Sequence, residues 1–146
     1  SYGGSTLTQQ LVKNITNERD KSATRKIKEM MRAVALEKQL SKDEILTLYL
    51  NVIFLSNNCY GVEAALNRYF AKSASELNLT EAALIAGITQ RPSYYNPLRN
   101  PENALQKRNI VLLKMYETDK IYNNWSFSFH RTFSVQALKN FFFIFN

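Results

Sequence analysis

Leu7, Leu11 and Ile15 recur at four-residue steps, the spacing of one face of a helix, and Thr6 with Gln9 has the pattern of an N-terminal capping box. After a polar connector, a second helical pattern places Ile27, Met30, Met31 and Val34 within one apolar arc at about 100° per residue. That arc is the expected core side. Glu29 falls nearly opposite, flanked by Arg25 one turn before and Arg32 nearly one turn after. Ser41 and Glu44 repeat the capping pattern and open a helix with Ile45, Leu48 and Tyr49 on one side, stopping near Asn51. Val52–Phe54 suits a brief extended stretch, and Ser56–Gly61 is turn-rich. A helix is expected over Val62–Phe70, where Ala64 and Ala65 permit close approach. Thr80 caps the next, EAALIAGI, which is apolar enough to be buried on most sides. Pro92 and Pro97 bracket a loop holding Tyr94, Tyr95 and Asn96. Asn100-Pro101 then reads as cap and first position of a helix reaching about Met115, with Ala104, Val111, Leu112 and Met115 inward. No alternating run competes and no repeat is present. The expectation is an all-α fold.

Composition narrows the picture only modestly. A chain of 146 residues with 45% hydrophobic and 21% charged residues suits one folded domain with a single core. A net charge of +7 and a pI near 9.6 favour an anionic partner: nucleic acid, an anionic membrane surface or a phosphorylated substrate. Cys59 and His130 are each the sole residue of their type, which excludes an internal disulfide and a Cys/His metal cluster. The FFFIF block at Phe141–Phe145 is far shorter than the ~20 residues a spanning helix needs. From Lys120 to Asn146 there is no Asp or Glu, and half of all aromatic residues fall there.

Chemistry-bearing residues concentrate at the start. Gly3-Gly4 allows a ligand close to the main chain. Lys13, Arg19, Arg25 and Lys26 collect around a single acid, Glu29. Spacing fits two readings. One is a solvated helix face with weak salt bridges; the other is a site that handles an anionic leaving group.

Five segments carry a more specific signal: GGSTLTQQLVKN from Gly3, RKIKE from Arg25, KDEILTLYLN at Lys42–Asn51, YGVEAALNRYFAKSASELNLTEAALIAG at Tyr60–Gly87, and RPSYYNPLRNPENALQKRN at Arg91–Asn109. In this order, over roughly residues 1–116, they resemble the peptidoglycan glycosyltransferases, the transglycosylase domains of penicillin-binding proteins and monofunctional transglycosylases. The resemblance implies a lysozyme-like lobe over residues 1–118 and leaves 119–146 as a divergent, aromatic-rich tail. It implies polymerisation of lipid II into β-1,4-linked glycan with inversion and release of undecaprenyl pyrophosphate. Ser5, Thr6, Gln9, Gln10, Lys13, Arg19, Arg25 and Lys26 match the phosphate- and sugar-binding positions, and Glu29 matches the second carboxylate, an organiser of the cations. The general base belongs to an E-D-x-x-F motif ahead of the GGST segment. These 146 residues contain no such motif, and neither Glu18 nor Asp20 matches it. The chain alone is therefore expected to be inactive, with a membrane anchor expected upstream of Ser1. Glu63, Asn51, Arg91 and Tyr95 read as structural ties. The implied partners are lipid II, the growing glycan strand, the extracytoplasmic face of a bacterial membrane and the inhibitor moenomycin. No nucleic acid, metal or cofactor is expected, beyond room for a divalent cation at the pyrophosphate. The competing reading is a non-catalytic basic helical module that binds anionic lipid or nucleic acid by charge alone.

Overall fold

The computed structural model describes residues 6–18 and 22–117. They form two compact units, one up to Ile53 and one from Phe54 onward. All named elements among the described residues are helical. Ser5, Arg19, the Gly3-Gly4 pair and the tail from 118 lie outside the described residues.

In the first unit, α1 (Leu7–Thr16) packs against both α2 (Ala23–Gln39) and α3 (Lys42–Val52). Thr6 caps α1, its hydroxyl accepting from the Gln9 N–H at 3.2 Å. Only that half of the expected capping box forms, because the Gln9 side chain turns to Lys26 instead. Leu11 is fully buried, with Thr8 and Val12 beside it, whereas Ile15 is exposed. The inward face of α1 is therefore rotated from the Leu7–Leu11–Ile15 line. On α3, Ser41 and Glu44 form the predicted reciprocal box. Ile45, Leu46, Tyr49 and Leu50 are buried while Leu48 is exposed.

The main correction concerns α2. Its apolar arc was expected to face the core, yet Ile27, Met30, Met31 and Val34 are each about half or more exposed, up to 68% at Met31. The residues buried on α2 are Glu29 and Ala33. Periodicity locates an apolar arc but does not say which face a neighbour covers. Glu29 can go inside because two cations on its own helix neutralise it, and Ala33 is small enough for helices to approach. Replacing Met31 by glutamine should accordingly change stability in urea denaturation by no more than about 0.5 kcal/mol, as at other surface positions. A core methionine would cost several times more.

The second unit holds α4 (Val62–Phe70), α5 (Leu79–Ile88), α6 (Pro101–Glu117) and a short 3-10 turn at Ala74–Glu76. An isolated antiparallel bridge between Phe54 and Tyr60 closes a loop in which Ser56, Asn57 and Asn58 all have positive φ. Asn78, not Thr80, caps α5, in a reciprocal box with Glu81. Thr80 lies inside the first turn and donates its hydroxyl to Asn78 Oδ1 at 2.6 Å. α5 is buried nearly all round and packs against α6. At Gly87 a Cβ would come within 2.9 Å of Lys107 Cγ, so the absence of a side chain admits that lysine stem. Glu63 accepts from the Ala74 N–H at 3.2 Å, a structural tie as expected. Arg91 lies 4.4 Å over the Tyr94 ring. Among the described residues no helix is long and apolar enough to cross a membrane.

Candidate functional site

Ser22 starts α2: its hydroxyl accepts from the Arg25 N–H at 3.2 Å, placing Arg25 and Lys26 in the first two turns. Glu29 then sits one turn further on, within reach of both. Arg25 Nη1 donates to Glu29 Oε2 at 2.7 Å, and Lys26 Nζ donates to Glu29 Oε1. Lys26 Nζ also reaches across to α1 and donates to Gln9 Oε1 at 3.2 Å. Glu29 is only 4% exposed, so its charge is compensated inside the fold rather than by water.

Burial pushes the Glu29 carboxyl up, but the hydrogen bonds and charges of Lys26 and Arg25 outweigh it and hold the group below its ordinary value of 4.5. A carboxylate held this way stays ionised and is a weak base. It is suited to orienting cations, not to taking a proton. Two cations against one carboxylate leave one unit of positive charge on this part of α2. That surplus lies at a helix N-terminus, where the macrodipole already favours an anion and no acidic residue occupies the first turn. Among the described residues, Arg25 Nε is buried without an acceptor. The cluster is thus rich in donors.

Of the residues singled out in the sequence, Gln9, Arg25, Lys26 and Glu29 are brought together. Thr6 serves as the exposed cap of α1. Gln10 faces α3, where the Tyr49 hydroxyl donates to its Oε1 at 3.2 Å. Lys13 is exposed, one turn beyond Gln9 on the same flank of α1. Ser5 and Arg19 fall outside the described residues. Arg32, expected to flank Glu29, pairs with Glu18 at 2.7 Å instead. That pairing commits Glu18 to an ion pair at the surface.

Two polar contacts of α1 with its neighbouring helices lie outside the sequence reading. Thr8, buried on α1, donates to Glu37 Oε1 on α2 at 2.6 Å. Tyr49 was read only as part of an apolar face. A signal for the first did exist: Glu29, Ala33 and Glu37 stand at four-residue steps, an acid–small–acid stripe that marks the polar side of α2 as the side facing a helix. Among the described residues no group of three His, Cys, Asp or Glu could hold a metal ion.

Comparison with known proteins agrees on one family. A sequence profile described as Transglycosylase matches residues 1–116. The chain is 50% identical over 115 residues to penicillin-binding protein 1A of Aquifex aeolicus, covering 79% of this chain and 16% of that protein. It is 46% identical over 117 residues to penicillin-binding protein 1A of Escherichia coli, covering 80% and 14%. A crystal structure of penicillin-binding protein 1A from Haemophilus influenzae aligns with a TM-score of 0.54 and 33% identity, covering 82% of this chain and 15% of that one. The chain thus spans about a sixth of the length of these relatives.

Proposed function

The chain belongs to the transglycosylase family, the peptidoglycan glycosyltransferases of penicillin-binding proteins, and from that premise we propose that its site grips the diphosphate of lipid II during glycan polymerisation. The observation that carries this reading is Glu29, buried between Arg25 and Lys26 on a surface that keeps a net positive charge. A sugar hydroxyl attacks the anomeric carbon of the donor strand, the lipid-linked pyrophosphate departs, and the anomeric centre inverts. The departing group is already a stable anion and needs cations and N–H donors more than an acid. Arg25 and Lys26 supply the cations, with Lys13 and Arg19 as further contributors. By their match to the family's motif, Gln9, Gln10, Ser5 and Thr6 are assigned to binding the phosphate and sugar. Glu29 holds the cations in register and limits their mutual repulsion before substrate arrives.

The attacking hydroxyl must also lose a proton to a positioned carboxylate. Glu29, held ionised below the ordinary carboxylate range, is poorly matched to that task. The base is assigned to the E-D-x-x-F motif of the family, which these 146 residues lack. The chain by itself accordingly binds without polymerising. The reaction takes place at the extracytoplasmic face of a bacterial membrane, with the growing glycan strand as second substrate. It needs no cofactor, and any divalent cation enters with the pyrophosphate. Moenomycin, a phosphoglycolipid, would compete for the same donors.

The test is binding of lipid II to the chain in detergent. Lys26→Ala should weaken it roughly tenfold, the loss of one charged hydrogen bond. Lipid II should also be held more tightly than undecaprenyl pyrophosphate at equal salt. A charge-only module would bind both alike, with affinity falling steeply as salt rises. Equal binding of the two lipids, or glycan synthesis by the 146-residue chain, would overturn the reading.

A further inference from the structure

Two consecutive residues of α1 are tied to α2 at widely separated points. Thr8, 5% exposed, donates its hydroxyl to Glu37 Oε1 at 2.6 Å. Gln9 Oε1 accepts from Lys26 Nζ at 3.2 Å. Lys26 and Glu37 stand 11 residues apart on α2, about 16 Å along its axis at roughly 1.5 Å per residue. The two bonds therefore spread from one point of α1 toward the two ends of α2. Ala33 lies between them in sequence, 3% exposed, with nothing beyond Cβ to keep a neighbouring helix away.

A single bond would let α1 slide along α2 or roll against it. Two bonds that diverge from neighbouring residues oppose both motions, because a slide that shortens one stretches the other. The threonine anchor is the stiffer of the two, with a short reach and a restricted χ1. Gln9 and Lys26 are long side chains, and their meeting depends on how α1 is held. Lys26 Nζ also donates to Glu29 Oε1, so its place is set from its own helix and from α1 together. We propose that Glu37 is a positioning residue of the site: by holding the Thr8 hydroxyl it fixes α1 against α2, and so keeps the Gln9 amide on the Lys26 ammonium that grips the lipid-linked diphosphate. The inference rests on the site's binding that diphosphate. It adds to that reading an acid whose own charge opposes the ligand, so its positioning effect and its electrostatic effect have opposite signs.

The experiment measures binding of undecaprenyl pyrophosphate to the 146-residue chain in detergent. It compares the wild type with Thr8→Val, Thr8→Ser, Glu37→Ala and the Thr8→Val/Glu37→Ala pair, with circular dichroism to confirm that each is folded. Thr8→Val keeps the shape and removes the donor, and should weaken binding roughly three- to tenfold, the range of one hydrogen bond. Thr8→Ser keeps the hydroxyl and should bind like the wild type. Glu37→Ala should weaken binding by a similar factor, although loss of a negative charge alone predicts tighter binding. The double variant should bind no worse than the weaker single one, since both side chains act through one bond. Lys26→Ala supplies the local readout: in that background Thr8→Val should cost less than about twofold, because the ammonium it positions is gone. A merely structural contact would leave binding by the folded variants unchanged, or weaken it equally with and without Lys26. Either result, or tighter binding by Glu37→Ala, overturns the inference. Should Thr8→Val fail to fold, Glu37→Ala, changed at an exposed position, carries the test by the sign of its effect. If the wild type itself does not bind, the site reading fails and this inference with it. Variants that bind as the wild type does overturn this inference alone.

Discussion

Replacing Glu29 by alanine is expected to destabilise the first unit by about 2–3 kcal/mol, a loss of roughly 30-fold to 150-fold in its folding equilibrium. Removing one member of a fully buried ion pair typically costs about 3–5 kcal/mol, because the partner is left charged and unpaired. Here the partners are not fully buried. Lys26 is 42% exposed and Arg25 19%, so water screens part of the loss and the lower figure applies. What remains is two adjacent cations in the early turns of α2 that have lost the carboxylate between them, at the end of the helix where the macrodipole already disfavours them. Glu29→Gln should cost less, since one carbonyl oxygen still accepts. The pH dependence separates the charge from the packing. The folded-state carboxyl lies below its ordinary 4.5, so its contribution is fully present above that value and is lost as pH falls below it, through the folded-state pKa. In urea denaturation, the stability gap between wild type and Glu29→Gln should be constant from pH 7 to about 5 and close as pH falls further. A gap that stays constant through pH 3 would mean that Glu29 contributes by shape alone.

The buried position of Glu29 was not legible from hydrophobic periodicity, and the reason is instructive. Pattern reading assigns burial to the apolar arc, here Ile27, Met30, Met31 and Val34, whereas the described residues cover the opposite face. A charged residue is buriable when its partners lie on the same helix, and Arg25 and Lys26 are placed to do that at three- and four-residue spacing. The spacing was visible; the direction of the neighbour was not. Local signals did better. The Ser41–Glu44 box, α4 at Val62–Phe70, the burial of α5 and the start of α6 at Pro101 all follow from short-range chemistry that needs no knowledge of packing. Where two local signals compete, sequence alone chose less well. Asn78 and Thr80 are both good caps, and Asn78 prevails because Glu81 stands three residues after it and completes the box. Gln9 had two uses, as a box partner or as a reach across to α2, and the lysine ammonium is the stronger donor. The family was legible in a different way. Only the order of whole motifs pointed to the transglycosylases, because the cation spacing alone fits an ordinary solvated face equally well.

Asn96→Ala is expected to lower the stability of the second unit by about 3 kcal/mol, since several buried polar groups lose their partner at once. Asn96 is 0% exposed. Its Nδ2 donates to Ser56 Oγ at 2.9 Å and to Asn57 Oδ1 at 3.2 Å. Its Oδ1 accepts from Asn57 Nδ2 at 3.3 Å and from the backbone N–H groups of Leu98 and Arg99 at 2.9 and 3.2 Å. One side chain therefore joins the Pro92–Pro97 loop to the Ser56–Asn58 turn. That turn needs the help. Three successive non-glycine residues with φ of 70°, 48° and 59° each carry a backbone cost on the order of 1 kcal/mol or more, which persists only where surrounding bonds fix the conformation. Alanine removes those bonds and leaves Ser56, itself buried, without this partner. For a unit of this size the loss corresponds to a fall in Tm of roughly 10–20 °C. Ser56→Ala removes one of the five contacts and should cost only about 1 kcal/mol. Hydrogen exchange gives the local readout: the Leu98 amide, whose bond to Oδ1 is lost, should exchange faster in Asn96→Ala than the loss of global stability accounts for. If the two variants melt together, the asparagine is one contact among many, and the turn is held by its own bridge between Phe54 and Tyr60.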